Sequence, residues 1–195
     1  MSGPTRPDPL VLVNRHTGER LNLTRFEGPD GAWLEIRGSL PPRSEGPPLH
    51  VHVHEDEGGR VISGTISATV GGHTMRAGPG TEVRLPKGAP HRWWNADDDE
   101  LQFEGHAKPV VDLDRMLQAM FEVVNAGTPG RPPLFYMAQV LHRHRHTQRT
   151  LAMPRVLQAV LMPTVVFIGT VLGKYRGTEW PGCPARCTGA PVVRK

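Results

Sequence analysis

The chain has 195 residues, of which 37% are hydrophobic and 22% are charged, a composition that supports a packed core and excludes global disorder. Its 22 glycines and 20 prolines favour short strands and turns over long helices in the first half of the chain. The net charge of +4 is unevenly spread, because Glu179 is the only acidic residue after Phe135. We interpret this basic C-terminal third as a solvated surface, although an anionic membrane, a nucleic acid or an anionic substrate could also bind it.

The two ends of the chain carry little structural signal. Residues 1–9 are a proline-rich leader that we expect to be mobile, and they lack the apolar run of a signal peptide. A cytoplasmic location is therefore expected. Residues 177–195 are expected to form a disordered tail. The tail contains Cys183 and Cys187, too few ligands for a structural zinc, so we interpret them as incidental thiols or an optional disulfide.

From residue 10 to about residue 107, short apolar runs alternate with turn residues, which is typical of an all-β sandwich or barrel. The predicted strands are Leu10–Val13, Arg20–Phe26, Ala32–Ser39, Leu49–His54, Arg60–Ile62, Thr65–Val70, His73–Arg76, Glu82–Leu85, His91–Asn95 and Leu101–Ala107. Glycine pairs are among the predicted turns, and Gly71-Gly72 between two apolar runs predicts a β-hairpin. Gly58-Gly59 is likewise predicted to be a turn.

A small helical region, residues 112–174, is predicted to follow. Its first helix begins near Asp112 and ends at Gly127, and a second begins at Leu134 and becomes strongly basic near residue 142. A third apolar run, 156–172, is just short of a bilayer core and is interrupted by Gln158 and Pro163. We expect it to pack on the barrel or at a dimer contact. Membrane association through this run is possible but not favoured.

The candidate site begins with two histidines on one strand. Strand alternation places His50 and His52 on the same face, about 7 Å apart. A turn can return Glu57 to that face, and His91 comes from a later strand that can lie beside the first. Three imidazoles and a carboxylate suit a divalent transition metal such as Fe, Mn, Ni, Cu or Zn, with open positions for a substrate.

The spacing of these residues resembles the two motifs of the cupin superfamily, over about residues 10–107. The residues that resemble the first motif are His50, His52, Glu57 and Gly64, and those that resemble the second are Gly80, Pro86, Gly88, His91 and Asn95. The sequence departs from the pattern at Glu45, where the first motif usually opens with glycine, and at Gly58-Gly59-Arg60, where small single-domain members often have aromatic residues. These departures concern the lining of the pocket.

The resemblance implies a mainly β fold, a double-stranded β-helix or jelly-roll barrel, followed by the small α-helical C-terminal region. It also implies that His50, His52, Glu57 and His91 bind the metal. In a quercetin dioxygenase-like scheme, an oxidoreductase would act on a small organic substrate chelated to the metal, and Glu57 would be the catalytic base. His54 is expected to be a polar residue near the mouth of the barrel with no catalytic part.

Two other functions stay open at this point. A metal-dependent isomerase or lyase would use the metal only as a Lewis acid, and a non-catalytic module would bind a small molecule without turnover. A nucleic-acid partner is not expected, because the sequence has no helix-turn-helix signature. We expect a homodimer, because barrels of this type pair their edges or faces and an exposed apolar helix needs a cover.

Overall fold

The computed structural model describes residues 7–175, which form eleven strands and three helices. The strands are β1 (Leu10–Val13), β2 (Arg20–Phe26), β3 (Trp33–Leu40), β4 (His50–His52), β5 (Asp56–Ser63), β6 (Ile66–Val70), β7 (His73–Ala77), β8 (Glu82–Leu85), β9 (His91–Trp94), β10 (Leu101–Lys108) and β11 (Gln148–Thr150). The helices are α1 (Leu113–Ala126), α2 (Leu134–Arg143) and α3 (Arg155–Val171). The tail predicted at 177–195, with both cysteines, lies outside the described residues.

The strands form two antiparallel sheets. One has the order β1-β2-β3-β10-β5-β8, and the other has the order β11-β4-β9-β6-β7. Inward-facing apolar side chains from both sheets form the core, as the alternation of each strand requires. The mainly β, jelly-roll fold with helices at the C-terminal side is confirmed. The two sheets remain separate and do not close into one continuous barrel.

The glycine pairs differ in what they do. Gly71 and Gly72 have φ angles of 57° and 88° and connect β6 to β7, so the predicted hairpin is confirmed. The turn predicted at Gly58-Gly59 is wrong, because both residues lie inside β5. A side chain at Gly59 would meet the carbonyl oxygen of Glu104 at 2.8 Å, so glycine permits β5 and β10 to approach closely here.

The helical region contains a strand that the sequence did not predict. β11 follows α2 and pairs antiparallel with β4, with Gln148 opposite His52 and Thr150 opposite His50. The segment after residue 112 is therefore joined to the edge of the second sheet. This pairing brings residues from the C-terminal part of the chain next to the two histidines of β4.

The helices cover the sheets to different extents. Leu113, Ala119 and Val123 of α1 are buried, and α2 packs against both α1 and α3. The third apolar run forms one helix, α3, which continues through Pro163. The outer face of α3 is exposed along most of its length, at Val156, Leu157, Val160, Leu161, Phe167, Ile168 and Val171. Within residues 7–175, no helix is long and apolar enough to cross a membrane.

Candidate metal centre

The four predicted ligand residues come together between the two sheets. His50 and His52 lie on β4, His91 lies opposite His50 on the neighbouring strand β9, and Glu57 lies on β5 of the facing sheet. The predicted turn after His52 thus carries the chain from one sheet to the other. One ligand atom from each of the four side chains lies within 4.8 Å of the others, and the group could hold a metal ion.

The imidazole nitrogens of this cluster face one another. Nε2 of His50 lies 2.9 Å from Nε2 of His52. Oε2 of Glu57 lies 3.4 Å from Nε2 of His52 and 3.6 Å from Nε2 of His91. His52 and His91 are almost fully buried. These separations leave the nitrogen and oxygen donors directed at a shared space.

Backbone carbonyls orient two of the three imidazoles. Nδ1–H of His50 donates to the carbonyl oxygen of Pro48 at 2.8 Å, and Nδ1–H of His91 donates to that of Ala89 at 2.9 Å. When neutral, both rings therefore keep a lone pair on Nε2. Nε2 of His91 is buried and has no hydrogen-bond partner among residues 7–175. Such an orphaned acceptor fits a site for a cation.

Burial and mutual repulsion keep the histidines of β4 uncharged. Burial, with the nearby His91 and His52, lowers the pKa of His50 to about 4. Burial likewise lowers the pKa of His52. Burial alone would raise the pKa of Glu57, but the surrounding imidazoles, His52 first, lower it below its ordinary value. Neutral imidazoles and an ionised carboxylate are the forms that bind a divalent transition metal.

Two residues beside the cluster were not predicted from the sequence. Gln148 of β11 places its amide nitrogen 3.0 Å from Nδ1 of His52 and 3.4 Å from Oε2 of Glu55. Glu55 is fully buried, which raises the pKa of its carboxyl, and it accepts a hydrogen bond from the N–H of Val111. Glu55 lies in a run of acidic residues, and Gln148 lies in a region predicted to be helical. The sequence therefore did not indicate that either residue belongs to the site.

His54 and the two tryptophans of β9 lie outside the cluster. His54 is exposed, because β4 ends at His52 and the alternation stops there. Trp93 lines the cavity beside the cluster and packs edge-on against Phe103, whereas Trp94 lies under the guanidinium of Arg92.

The histidine run at residues 142–146 is divided by the end of a helix. α2 ends at Arg143, so His142 lies in the helix and His146 lies beyond it. Between them, Nδ1–H of His144 donates to Oδ2 of Asp112 at 2.6 Å. This histidine therefore joins α2 to the start of α1.

The match to known proteins covers the strands that carry the cluster. Residues 37–104 match the family model described as the cupin domain. This part of the chain is a cupin domain. All four cluster residues fall within it, whereas Gln148 and the three helices follow it in the chain.

One curated relative shares about half of its length with this chain. It is described as oxidoreductase iacF, from Pestalotiopsis fici, and is 30% identical over 106 residues, which are 48% of this chain and 50% of the relative. The chain thus spans about half the length of the curated relative that it matches.

Solved structures similar to the cupin domain have lower identity. KdgF from Halomonas sp. is 19% identical with a TM-score of 0.44, over 57% of this chain and 97% of that chain. A protein described as a predicted oxalate decarboxylase from Thermotoga maritima is 19% identical with a TM-score of 0.42, over 53% of this chain and 97% of that chain.

Proposed function

We propose that this protein is a metal-dependent oxidoreductase of dioxygenase type, acting on a small organic substrate that binds the metal through its own oxygen atoms. The observation that carries the proposal is the buried group of three imidazoles and one carboxylate, in which Nε2 of His91 has no hydrogen-bond partner in the described chain. The curated relative, which this chain matches over about half of the relative's length, is described as an oxidoreductase, and this description supports the same class of enzyme.

His50, His52, Glu57 and His91 would hold the ion. The donor set suits Fe, Mn, Ni, Cu or Zn, and it leaves positions for a substrate in a five- or six-coordinate ion. A bound redox-active metal would supply a Lewis acid and a place for dioxygen to react. The carbonyl oxygens of Pro48 and Ala89 hold two of the imidazoles with Nε2 turned inward.

Glu57 is the residue we assign to proton transfer. Its carboxylate is ionised in the site, because the neighbouring imidazoles lower its pKa. Glu57 would accept the proton of a substrate hydroxyl, leaving an electron-rich oxyanion to react with dioxygen. Dioxygen is the oxidant, and both of its atoms enter the organic product in this scheme.

The first experiment measures metal in protein purified without a histidine tag. Elemental analysis of the wild type should give one transition metal ion per chain, and His91→Ala should lose most of it. His73→Ala, at an exposed histidine of β7, is the matched control and should keep the metal. Full retention by His91→Ala would refute the four-ligand site.

The second experiment distinguishes the reaction classes. Iron- or manganese-loaded protein should consume dioxygen with enol or catechol-like substrates. Equal turnover without dioxygen and with zinc would instead show an isomerase or lyase that uses the metal as a Lewis acid. Ligand-induced stabilisation with no product from any substrate would indicate a binding module.

We further propose that the protein is a cytoplasmic homodimer and that it does not bind nucleic acid. Sedimentation velocity of the full chain at several concentrations tests the assembly. A single monomeric species at the highest concentration would contradict it.

A further inference from the structure

The cluster opens into a large cavity. The cavity has a volume of about 770 Å³ and is lined by His50, His52 and Glu57 at the cluster and by both sheets and all three helices elsewhere. Cavities of this size enclose a drug-sized organic molecule. A metal ion with a few waters would fill only a small part of it.

Part of the cavity wall beside Glu57 is a glycine wall, formed by Gly58 and Gly59 of β5 and Gly105 of β10. Glu57 pairs with Ala107 across β5 and β10, and Gly59 pairs with Gly105 two residues further along. Strand alternation places all four on the inward face of the sheet. Gly59 and Gly105 therefore present backbone, without side chains, to the cavity next to the proposed base.

The helices give the cavity an apolar cover. The side chains that α1 contributes to the lining are all apolar: Leu113, Met116, Leu117, Met120, Phe121 and Val124. α3 contributes Ala159 and Met162, together with Gln158 and, at its first residue, the exposed Arg155. The amide of Gln158 already donates to the carbonyl oxygens of Thr150 and Met153, at 2.7 and 2.8 Å. A polar substrate would find few partners on this cover.

Apart from Glu57 at the cluster, the acidic and arginine side chains of the lining are exposed or half-buried, which places them toward the rim; they are Glu19, Glu45, Arg60, Arg145, Arg149 and Arg155. A sugar or another polyol in the interior would leave several hydroxyl groups without hydrogen bonds, at a large cost for each. Apolar groups would gain free energy from the same walls.

From these observations we infer the substrate class: an apolar molecule of drug size with a compact oxygen-chelating head. The inference rests on the proposed metal site, because the head would bind the ion at His50, His52, Glu57 and His91. The apolar body would lie along the glycine wall of β5 and β10 and under Met116, Met120 and Met162. The mostly apolar lining disfavours polyhydroxylated molecules.

The test uses alkyl hydroxamates, which chelate metals through two oxygens and differ only in the length of their tails. Acetohydroxamic, hexanohydroxamic and decanohydroxamic acids are titrated calorimetrically into zinc-loaded and metal-free full-length protein. Gluconohydroxamic acid, with the same head and a polyol tail, is the polar control. Affinity for the loaded protein should rise about three- to four-fold for each buried methylene, and the polyol should bind no better than the acetyl compound.

The two protein forms separate this inference from the proposed metal site. The metal should raise the affinity of every hydroxamate by a similar factor, whereas the dependence on chain length should be present with and without metal. A chain-length dependence without any effect of metal would refute the metal site and support the apolar cavity. An effect of metal without chain-length dependence, or preference for the polyol, would overturn the inference.

A pair of variants on α3 locates the tail. Met162→Trp fills the cavity and should weaken the decanoyl compound at least ten-fold while the acetyl compound binds as before. Leu161→Trp, at the preceding, exposed residue of the helix, should change the affinity for neither compound. Equal binding of the decanoyl compound by both variants would place the tail elsewhere and overturn the assignment of the cavity. Acetohydroxamate binding and circular dichroism confirm that each variant is folded.

Discussion

The amide nitrogen of Gln148 lies 3.0 Å from Nδ1 of His52, although the two residues are 96 positions apart in the chain. In this orientation the amide donates to Nδ1, so the proton of neutral His52 is on Nε2. That N–H donates to Nε2 of His50 at 2.9 Å, and Nδ1–H of His50 donates to Pro48. A single chain of hydrogen bonds thus runs from β11 through both histidines of β4.

Metal binding requires the opposite tautomer of His52. Its Nε2 must offer a lone pair, so its proton must move to Nδ1 and find an acceptor there. Oε1 of Gln148 is buried and without a hydrogen-bond partner in the described part of the chain. Rotation of the amide would bring this oxygen to Nδ1–H. Gln148 is therefore placed to hold His52 in either tautomer.

Gln148→Met tests this positioning role, because methionine has a similar volume but does not offer the amide oxygen. Metal affinity, measured by competition with a chelating dye, should fall about 10- to 100-fold. Gln148→Glu keeps an acceptor and should recover part of the loss. Arg149→Gln on the same strand is the control and should bind metal like the wild type.

A purely structural role would give a different result. The nitrogen chemical shifts of the His52 imidazole report which nitrogen carries the proton in the metal-loaded protein. Nδ1 should carry it in the wild type. Equal affinity of the methionine and wild-type proteins would show that Gln148 has no part in the site.

The sequence predicted the four cluster residues because their spacing is local. His50 and His52 are separated by one residue on a strand, and a two-residue period places them on one face whatever the rest of the chain does. Glu57 and His91 followed from the resemblance to cupin motifs. Turn residues and alternation also gave β1, β2 and β8 with their observed ends.

The contacts that the sequence missed depend on long-range packing. β11 has three residues and no alternation of its own, so only its pairing with β4 makes it a strand. Gly58-Gly59 resembled a turn because glycine is common there. Its pairing with β10, where Gly105 lies opposite Gly59, made it part of a strand instead. Exposure of the outer face of α3 likewise depends on how the helices pack.

The hydrogen bond between His144 and Asp112 should contribute to stability. Asp112→Ala leaves Nδ1 of the buried His144 without an acceptor, which should cost about 1 to 3 kcal/mol in the free energy of unfolding. Glu104→Ala removes the exposed ion pair with Arg37 and should cost less than about 1 kcal/mol. Urea denaturation at pH 7 measures both. Equal losses in the two variants would contradict the importance of the buried pair.

The same pair gives a pH dependence. Burial alone would raise the pKa of Asp112, but the hydrogen bond from His144 lowers it below its ordinary value of 3.8. A lowered pKa in the folded state stabilises the protein above the unfolded value, and this stabilisation is lost as the pH falls through the folded value. The stability difference between the wild type and Asp112→Ala should therefore shrink in acid. A constant difference down to pH 3 would argue against it.

His54 provides a comparison within one segment. His52 is buried in the cluster, whereas His54, two residues later, is exposed. His52→Ala should lose most of the bound metal, and His54→Ala should keep it at the wild-type ratio of metal to protein. Elemental analysis of the two variants, purified without a tag, makes the comparison. Loss of metal in His54→Ala would mean that the site extends beyond the strand.

Glu19 lines the cavity at the loop before β2, and burial raises the pKa of its carboxyl from 4.5 to about 7. Its folded pKa lies above the unfolded value, so the folded state binds more protons between these two pH values. Stability conferred by neutral Glu19 is therefore present below about pH 4.5 and is lost as the pH rises through about 7.

Glu19→Gln keeps the shape of the side chain and removes its ionisation. Its stability relative to the wild type should increase from pH 5 to pH 8 by about 1 to 3 kcal/mol, measured by urea denaturation. Glu82→Gln, at an exposed position of β8, is the control and should show the pH dependence of the wild type. If the free energy of unfolding of Glu19→Gln instead follows that of the wild type in parallel from pH 5 to pH 8, the Glu19 carboxyl is ionised throughout this range.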